Sequence, residues 1–315
     1  MNDSIDRMGI YRRIQSLPAV ESGAWIAIAL TAFLCANGIW WGITEIWNAD
    51  QMAFKNFFRE GFLPFSPERF DKPPLLSYID FFFSTIPREV IVRSLEVISG
   101  EQYGDSLNFI SVWLAKFLQL LFACGSVYLV WRIVANFGTQ GAALVCAFLM
   151  ATSAGFIVQA HLITTDLPLV FFMLLAFAYS QRIVIRGELR DYVLAGLLVG
   201  LTGAMKYNGL IVGIAIPVFH AFRSYEGRSV PVIFNWRLIA GVSAVPIGFL
   251  IGNPFALIEY RRFATDVAYL FATSQDFVGA GGDALQASHL LSIVGNDLIG
   301  WPLFAVLAVA MPISL

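Results

Sequence analysis

Four polar stretches interrupt an apolar chain of 315 residues, and their residue types suit acid–base chemistry on an anionic group. The first is "EIWNADQMAFKNFFREG", which carries the carboxylate Asp50. The second, "PERFDKPPLLSYID", sets Lys72 directly before Pro73 and Pro74. The third, "QAHLITTDLPLVFF", holds His161 and Asp166. The fourth pairs "MKYNG", with Lys206, Tyr207 and Asn208, with "NPF" at Asn253, followed by Arg261 and Arg262. A carboxylate can take the proton of an acceptor hydroxyl. Cations can stabilise the charge that grows on a phosphate leaving group. Each stretch also has a plainer reading. Asp50 suits the start of a helix by its dipole, and Lys72 could be a lysine snorkelling from a loop. His161 could be a satisfied polar residue at a helix end, and the arginine pair a solvated helix face.

The elements that must position these residues follow from composition. Hydrophobic residues make up 58% of the chain and charged residues only 13%, with mean hydropathy +0.71. A soluble domain carries about 25% charge, so much of this surface cannot face water. The net charge of -2 points to no nucleic-acid partner. Cys35, Cys124 and Cys146 all fall in apolar runs without metal-ligand spacing and read as buried hydrophobes. The first apolar run is long and lacks a small-residue cleavage pattern after it, so it reads as a span rather than a signal peptide.

With about 20 apolar residues needed per crossing, the spans expected are 24–46, 110–131, 139–159, 166–184, 191–205, 207–222 and 237–253. An eighth begins near 297 and is cut by the chain end, so further C-terminal spans or a soluble domain are expected beyond it. Arg12, Arg13, Arg132, Arg182, Arg186, Arg190, Arg223, Arg228 and Arg237 all fall on one side of this arrangement. The positive-inside rule makes that side cytoplasmic. Residues 47–107 and 254–296 are then two long outer segments of a single transmembrane domain covering 1–315. Phe54, Phe57 and Phe58 form an apolar stripe expected to lie flat at the interface. Lys72, before two prolines that suit a helix start, combines with free N–H groups into an anion site. The short, glycine-rich helices around "GAMKYNGL" are expected inside the bundle.

The ordered motifs resemble the GT-C superfamily of membrane glycosyltransferases, in particular the dolichyl-phosphate-mannose protein mannosyltransferase-like group that includes lipid A aminoarabinose transferases. The resemblance is carried by "NADQMAF", "KPPL", "FGTQGAALVCAFLMATSAGFIVQAHLITTDLPLVFFMLLA", "GLLVGLTGAMKYNGLIV" and "NPF", in that order over about residues 24–300. It implies an all-α, polytopic transmembrane helix bundle with amphipathic juxtamembrane helices in the first outer loop. It also implies an inverting transferase that moves a sugar from a polyprenyl-phosphate donor to a glycan, lipid or protein acceptor. Asp50 would be the catalytic base and Asp166 a second active-site carboxylate. Lys72, Lys206, Arg261 and Arg262 would serve the donor phosphate, and His161 and Asn208 the acceptor side. Many relatives carry two acids at the first position, whereas Gln51 follows Asp50 here. No cofactor is implied with certainty, though a carboxylate pair could recruit a divalent cation, so metal dependence stays open. The expected location is the bacterial inner membrane, or the ER membrane in a eukaryote, with the site on the periplasmic or lumenal side. A transporter or lipid flippase is the competing reading, and a non-catalytic envelope subunit a third. Transporters place their charged sites near the bilayer midplane, whereas these charges gather at one interface.

Overall fold

The computed structural model describes residues 21–40, 57–58, 61–67, 69–103, 107–226 and 235–280. Asp50, Phe54, Arg228 and the expected eighth span lie outside the described residues. The elements, in order, are α1 (Glu21–Ala36), α2 (Leu75–Asp80), a π-helical turn (Phe81–Thr85), α3 (Ile86–Ser99), α4 (Phe109–Phe137), α5 (Gln140–Ala151), α6 (Ala154–His161), α7 (Asp166–Ile185), α8 (Leu189–Met205), a 3₁₀ helix (Tyr207–Ile214), α9 (Ala215–Glu226), α10 (Trp236–Gly252), α11 (Phe255–Ile258) and α12 (Tyr260–Ala280). Among the described residues there is no strand, and the all-α expectation holds.

α4 and α7 are long and apolar enough to cross a membrane, and α1 and α10 are shorter apolar helices. The third expected span is not one rod. It breaks between α5 and α6, which meet at 54°. The break falls at Thr152–Ser153, where the Thr152 hydroxyl bonds back to the Phe148 carbonyl at 2.8 Å. Such local hydroxyl bonds compete with the helix ladder and bend it. α1 ends earlier than expected for the same kind of local reason. Gly38 adopts φ +82°, a left-handed turn that L side chains avoid, just after Asn37.

α8 and α10 pack face to face through glycines. A methyl group at Gly196, Gly200 or Gly248 would collide with backbone of the opposite helix. Small residues permit this close approach where lipid supplies no hydrophobic drive. α8 is thus interior, as expected, but the sixth span is not, since Ile211 is 64% and Ile214 60% exposed. The sixth expected span starts not as an α-helix but as the 3₁₀ segment after Lys206, whose φ of -158° and ψ of 133° interrupt the helix.

In the long segment 47–107 the expected apolar stripe is different. Phe57 and Phe58 lie in a turn, and Phe57 is buried against Phe65, Tyr78 and Phe81. The Phe57 and Phe81 rings meet edge to face, as their quadrupoles favour, and the Phe65 and Tyr78 rings pack tilted beside Phe57. Among the described residues of that segment, α3 is an amphipathic helix that leaves Val97 85% and Ile98 82% exposed.

Candidate active site

Asp166 opens α7 and Lys206 closes α8, and the two meet. Lys206 Nζ donates to Asp166 Oδ1 at 2.6 Å. The arrangement follows from local sequence. Pro168 in the first turn of α7 needs no helical N–H partner, and Asp166 just ahead of it suits the positive end of the dipole. Beneath the pair, Leu169 and Met205 join Leu76 in one buried cluster. The same cluster therefore seats the first turn of α2, and with it the Lys72–Pro73–Pro74 entry, beside the Asp166–Lys206 ends. Pro73 and Pro74 are buried while Lys72 is exposed.

The turn ahead of Lys72 is held from two sides. The Phe70 N–H donates to Asp266 Oδ2 at 2.8 Å, and the Tyr207 hydroxyl donates to the Phe70 carbonyl at 2.6 Å. Asp71 pairs with Arg69 at 3.1 Å.

The segment before Asp166 is braced by two residues that the sequence reading passed over. Lys116 Nζ donates to the His161 carbonyl and Gln119 Nε2 to the Thr164 carbonyl, both at 3.1 Å. Both side chains are buried on α4. Polar groups three apart in an otherwise apolar span, "KFLQ", were the available signal, because intramembrane polar groups are costly and are kept for a reason. His161 itself turns to backbone. Its Nδ1 lies 2.8 Å from the Ile157 carbonyl and its Nε2 2.8 Å from the Asn37 carbonyl. The Nε2 contact sets the end of α6 against the turn after α1.

Asn208 is exposed at the start of the 3₁₀ helix. Arg261 and Arg262 stand at the start of α12. Arg262 donates to Glu259 Oε2 at 2.7 Å and lies over the Phe62 ring at 5.0 Å, while Arg261 donates to the Tyr260 hydroxyl at 3.0 Å. These residues and Gly61–Leu63 line an open groove of about 400 Å³. Among the described residues no group of three or more His, Cys, Asp or Glu could hold a metal ion.

A buried acid, Asp80, closes α2. It is 4% exposed, and its Oδ1 has no hydrogen-bond partner among the described residues. Burial pushes its carboxyl from 3.8 up to about 7.

Residues 107–246 match the family model described as dolichyl-phosphate-mannose-protein mannosyltransferase. That segment holds Lys116, His161, Asp166, Lys206 and Asn208, while Lys72, Arg261 and Arg262 lie outside it. The chain is also 29% identical over 176 residues to a protein of Bacillus subtilis (strain 168) named "Putative mannosyltransferase YycA". The aligned part is 56% of this chain, and the chain spans only 22% of the length of that relative. No solved structure matches. The ordered motifs, the apolar all-helical architecture and both matches agree: this chain is similar to GT-C-type membrane glycosyltransferases of the dolichyl-phosphate-mannose-protein mannosyltransferase kind.

Proposed function

We propose that the protein transfers a sugar, with inversion, from a polyprenyl-phosphate donor to a hydroxyl acceptor at the outer membrane face. The observation that carries this reading is the Asp166–Lys206 pair at 2.6 Å, set at two helix ends beside the buried entry of the lysine–proline motif. In the proposed reaction the acceptor hydroxyl gives its proton to Asp50 and its oxygen bonds to the anomeric carbon. The bond from that carbon to the phosphate oxygen breaks, and polyprenyl phosphate leaves with the electron pair. Lys72 meets the phosphate and offsets its growing charge. Lys206 orients Asp166, and Asp166 orients the acceptor. Arg261 and Arg262 line the groove and would be further cations for the donor phosphate.

Sugar transfer from a panel of polyprenyl-phosphate sugars tests the proposal. Asp50→Asn is expected to lower turnover by about a hundredfold or more with donor binding retained. Lys72→Ala is expected to weaken donor binding. Undiminished transfer by Asp50→Asn would sink the mechanism.

The bent α5–α6 pair favours a transport reading, because transporters use broken helices. Transporter breaks carry the binding groups themselves. Here the break carries Thr152 and Ser153, and the charges sit at helix ends instead. Counterflow of a labelled polyprenyl-phosphate sugar across vesicles, without transfer, would favour the transporter.

A further inference from the structure

We propose that Tyr207 and Asp266 are positioning residues that aim Lys72 at the donor phosphate. The inference rests on the donor reading of Lys72. The turn that carries Lys72 belongs to neither a strand nor a helix, so its backbone groups need partners from elsewhere. Phe70 finds them in two elements far away in sequence. Its N–H goes to Asp266 on α12 at 2.8 Å, and its carbonyl to Tyr207 at 2.6 Å. Its ring is fully buried and meets Phe263 edge to face, with centroids 5.5 Å apart. Phe263 in turn packs on Tyr207 and Phe249.

Lys72 follows two residues later, and buried Pro73 and Pro74 come next. Proline fixes its own φ, so the backbone of Lys72 is held before and after while its side chain is exposed. Tyr207 directly follows Lys206 in the chain. One dipeptide thus ties the Lys72 turn to the Asp166 carboxylate. Asp266 sits one helical turn beyond Arg262, whose guanidinium lies over Phe62 of the same outer segment as Phe70. α12 therefore touches that segment at two points, Phe62 and Phe70. Tyr207 spends its one hydroxyl proton on a backbone carbonyl and Asp266 an oxygen on a backbone N–H, which suits groups that set geometry rather than touch substrate.

The test measures binding of polyprenyl phosphate, as the probe, to the full-length protein in nanodiscs. Tyr207→Phe keeps the ring packing and removes one oxygen. It and Asp266→Ala should each weaken binding about tenfold, near the worth of one well-placed hydrogen bond. Asp266→Asn keeps an acceptor oxygen and should restore most of the loss. In a Lys72→Ala background, Tyr207→Phe and Asp266→Ala should add nothing, because what they position is gone. An equal further loss in that background would mark a merely structural role and overturn the proposal. So would unchanged binding by Tyr207→Phe and Asp266→Ala in the otherwise native protein. If Lys72→Ala itself binds the probe normally, the donor reading of Lys72 fails and the inference falls with it.

Discussion

Asp166 and Lys206 are 39% and 43% exposed, and that exposure separates their value to the fold from their value to chemistry. A water-facing ion pair contributes about 1 kcal/mol or less, because solvent screens it and two side chains are immobilised. Lys206→Met is therefore expected to shift thermal unfolding only slightly while lowering sugar transfer by about a hundredfold. Comparable losses of stability and activity would make the pair structural. Asp80 shows the opposite balance. Its folded carboxyl titrates near 7, above its ordinary 3.8. The folded state thus binds the proton more tightly than the unfolded state. The stabilising effect is complete below about 4 and is lost as pH rises toward about 7. Asp80→Asn should flatten unfolding stability between pH 4 and pH 8 and raise it at pH 8; a native-like slope in that variant would refute the assignment.

At the scale of elements, the helix–helix seams decide what the fold tolerates. At Gly200 an added methyl would meet the Val245 carbonyl and the backbone of Gly248 and Phe249. Backbone cannot swing aside as a flexible side chain can. Gly200→Ala should therefore cost about 1–3 kcal/mol, the usual range for overpacking. Gly141→Ala, where the nearest atom is Thr139 Oγ1 at 4.0 Å, should be neutral or slightly stabilising. Equal melting of the two variants in detergent would contradict the seam. These seams also show what the sequence could and could not reveal. The ends of α7, α8 and α10 were readable because apolar runs stop at Pro, Gly or charge, whereas α4 continues through Arg132 to Phe137, past the expected end at 131. Asp166 was readable as the start of α7 for the same reason. The break at Thr152–Ser153 was not, since apolar length alone does not register two hydroxyl residues inside a span. Nor was the 3₁₀ start at Tyr207, which depends on Lys206 turning its backbone to reach Asp166. The partners of Phe70 lie 137 and 196 residues away, beyond any local pattern.

For the whole molecule, the question is which side of the membrane the site faces, and α7 and α8 bear on it together. Asp166 is in the first turn of α7 and Arg182 in its last. A helix of 20 residues is about 30 Å long, the thickness of the hydrocarbon core. α8 returns in the opposite sense, from Asp191 in its first turn to Lys206 at its end. At the far end the basic residues are partly spent on structure. Arg182 pairs with buried Asp191 at 3.3 Å, Arg223 donates to the Ile183 and Val184 carbonyls, and Arg237 donates to the Gly187 carbonyl at 2.9 Å. Such bonds satisfy the last carbonyls of α7. The arginines that suggest orientation therefore also staple α7, α8, α9 and α10 at one end, and the Asp166–Lys206 pair sits at the other. If the positive-inside reading holds, Asn208→Cys, exposed beside Lys206, should react with a membrane-impermeant maleimide added outside intact cells. Arg190→Cys, at a position 60% exposed at the arginine end, should react only after permeabilisation. The background should lack Cys35, Cys124 and Cys146. The reverse pattern would place the site in the cytoplasm and remove the outer-face acceptor from the proposed reaction.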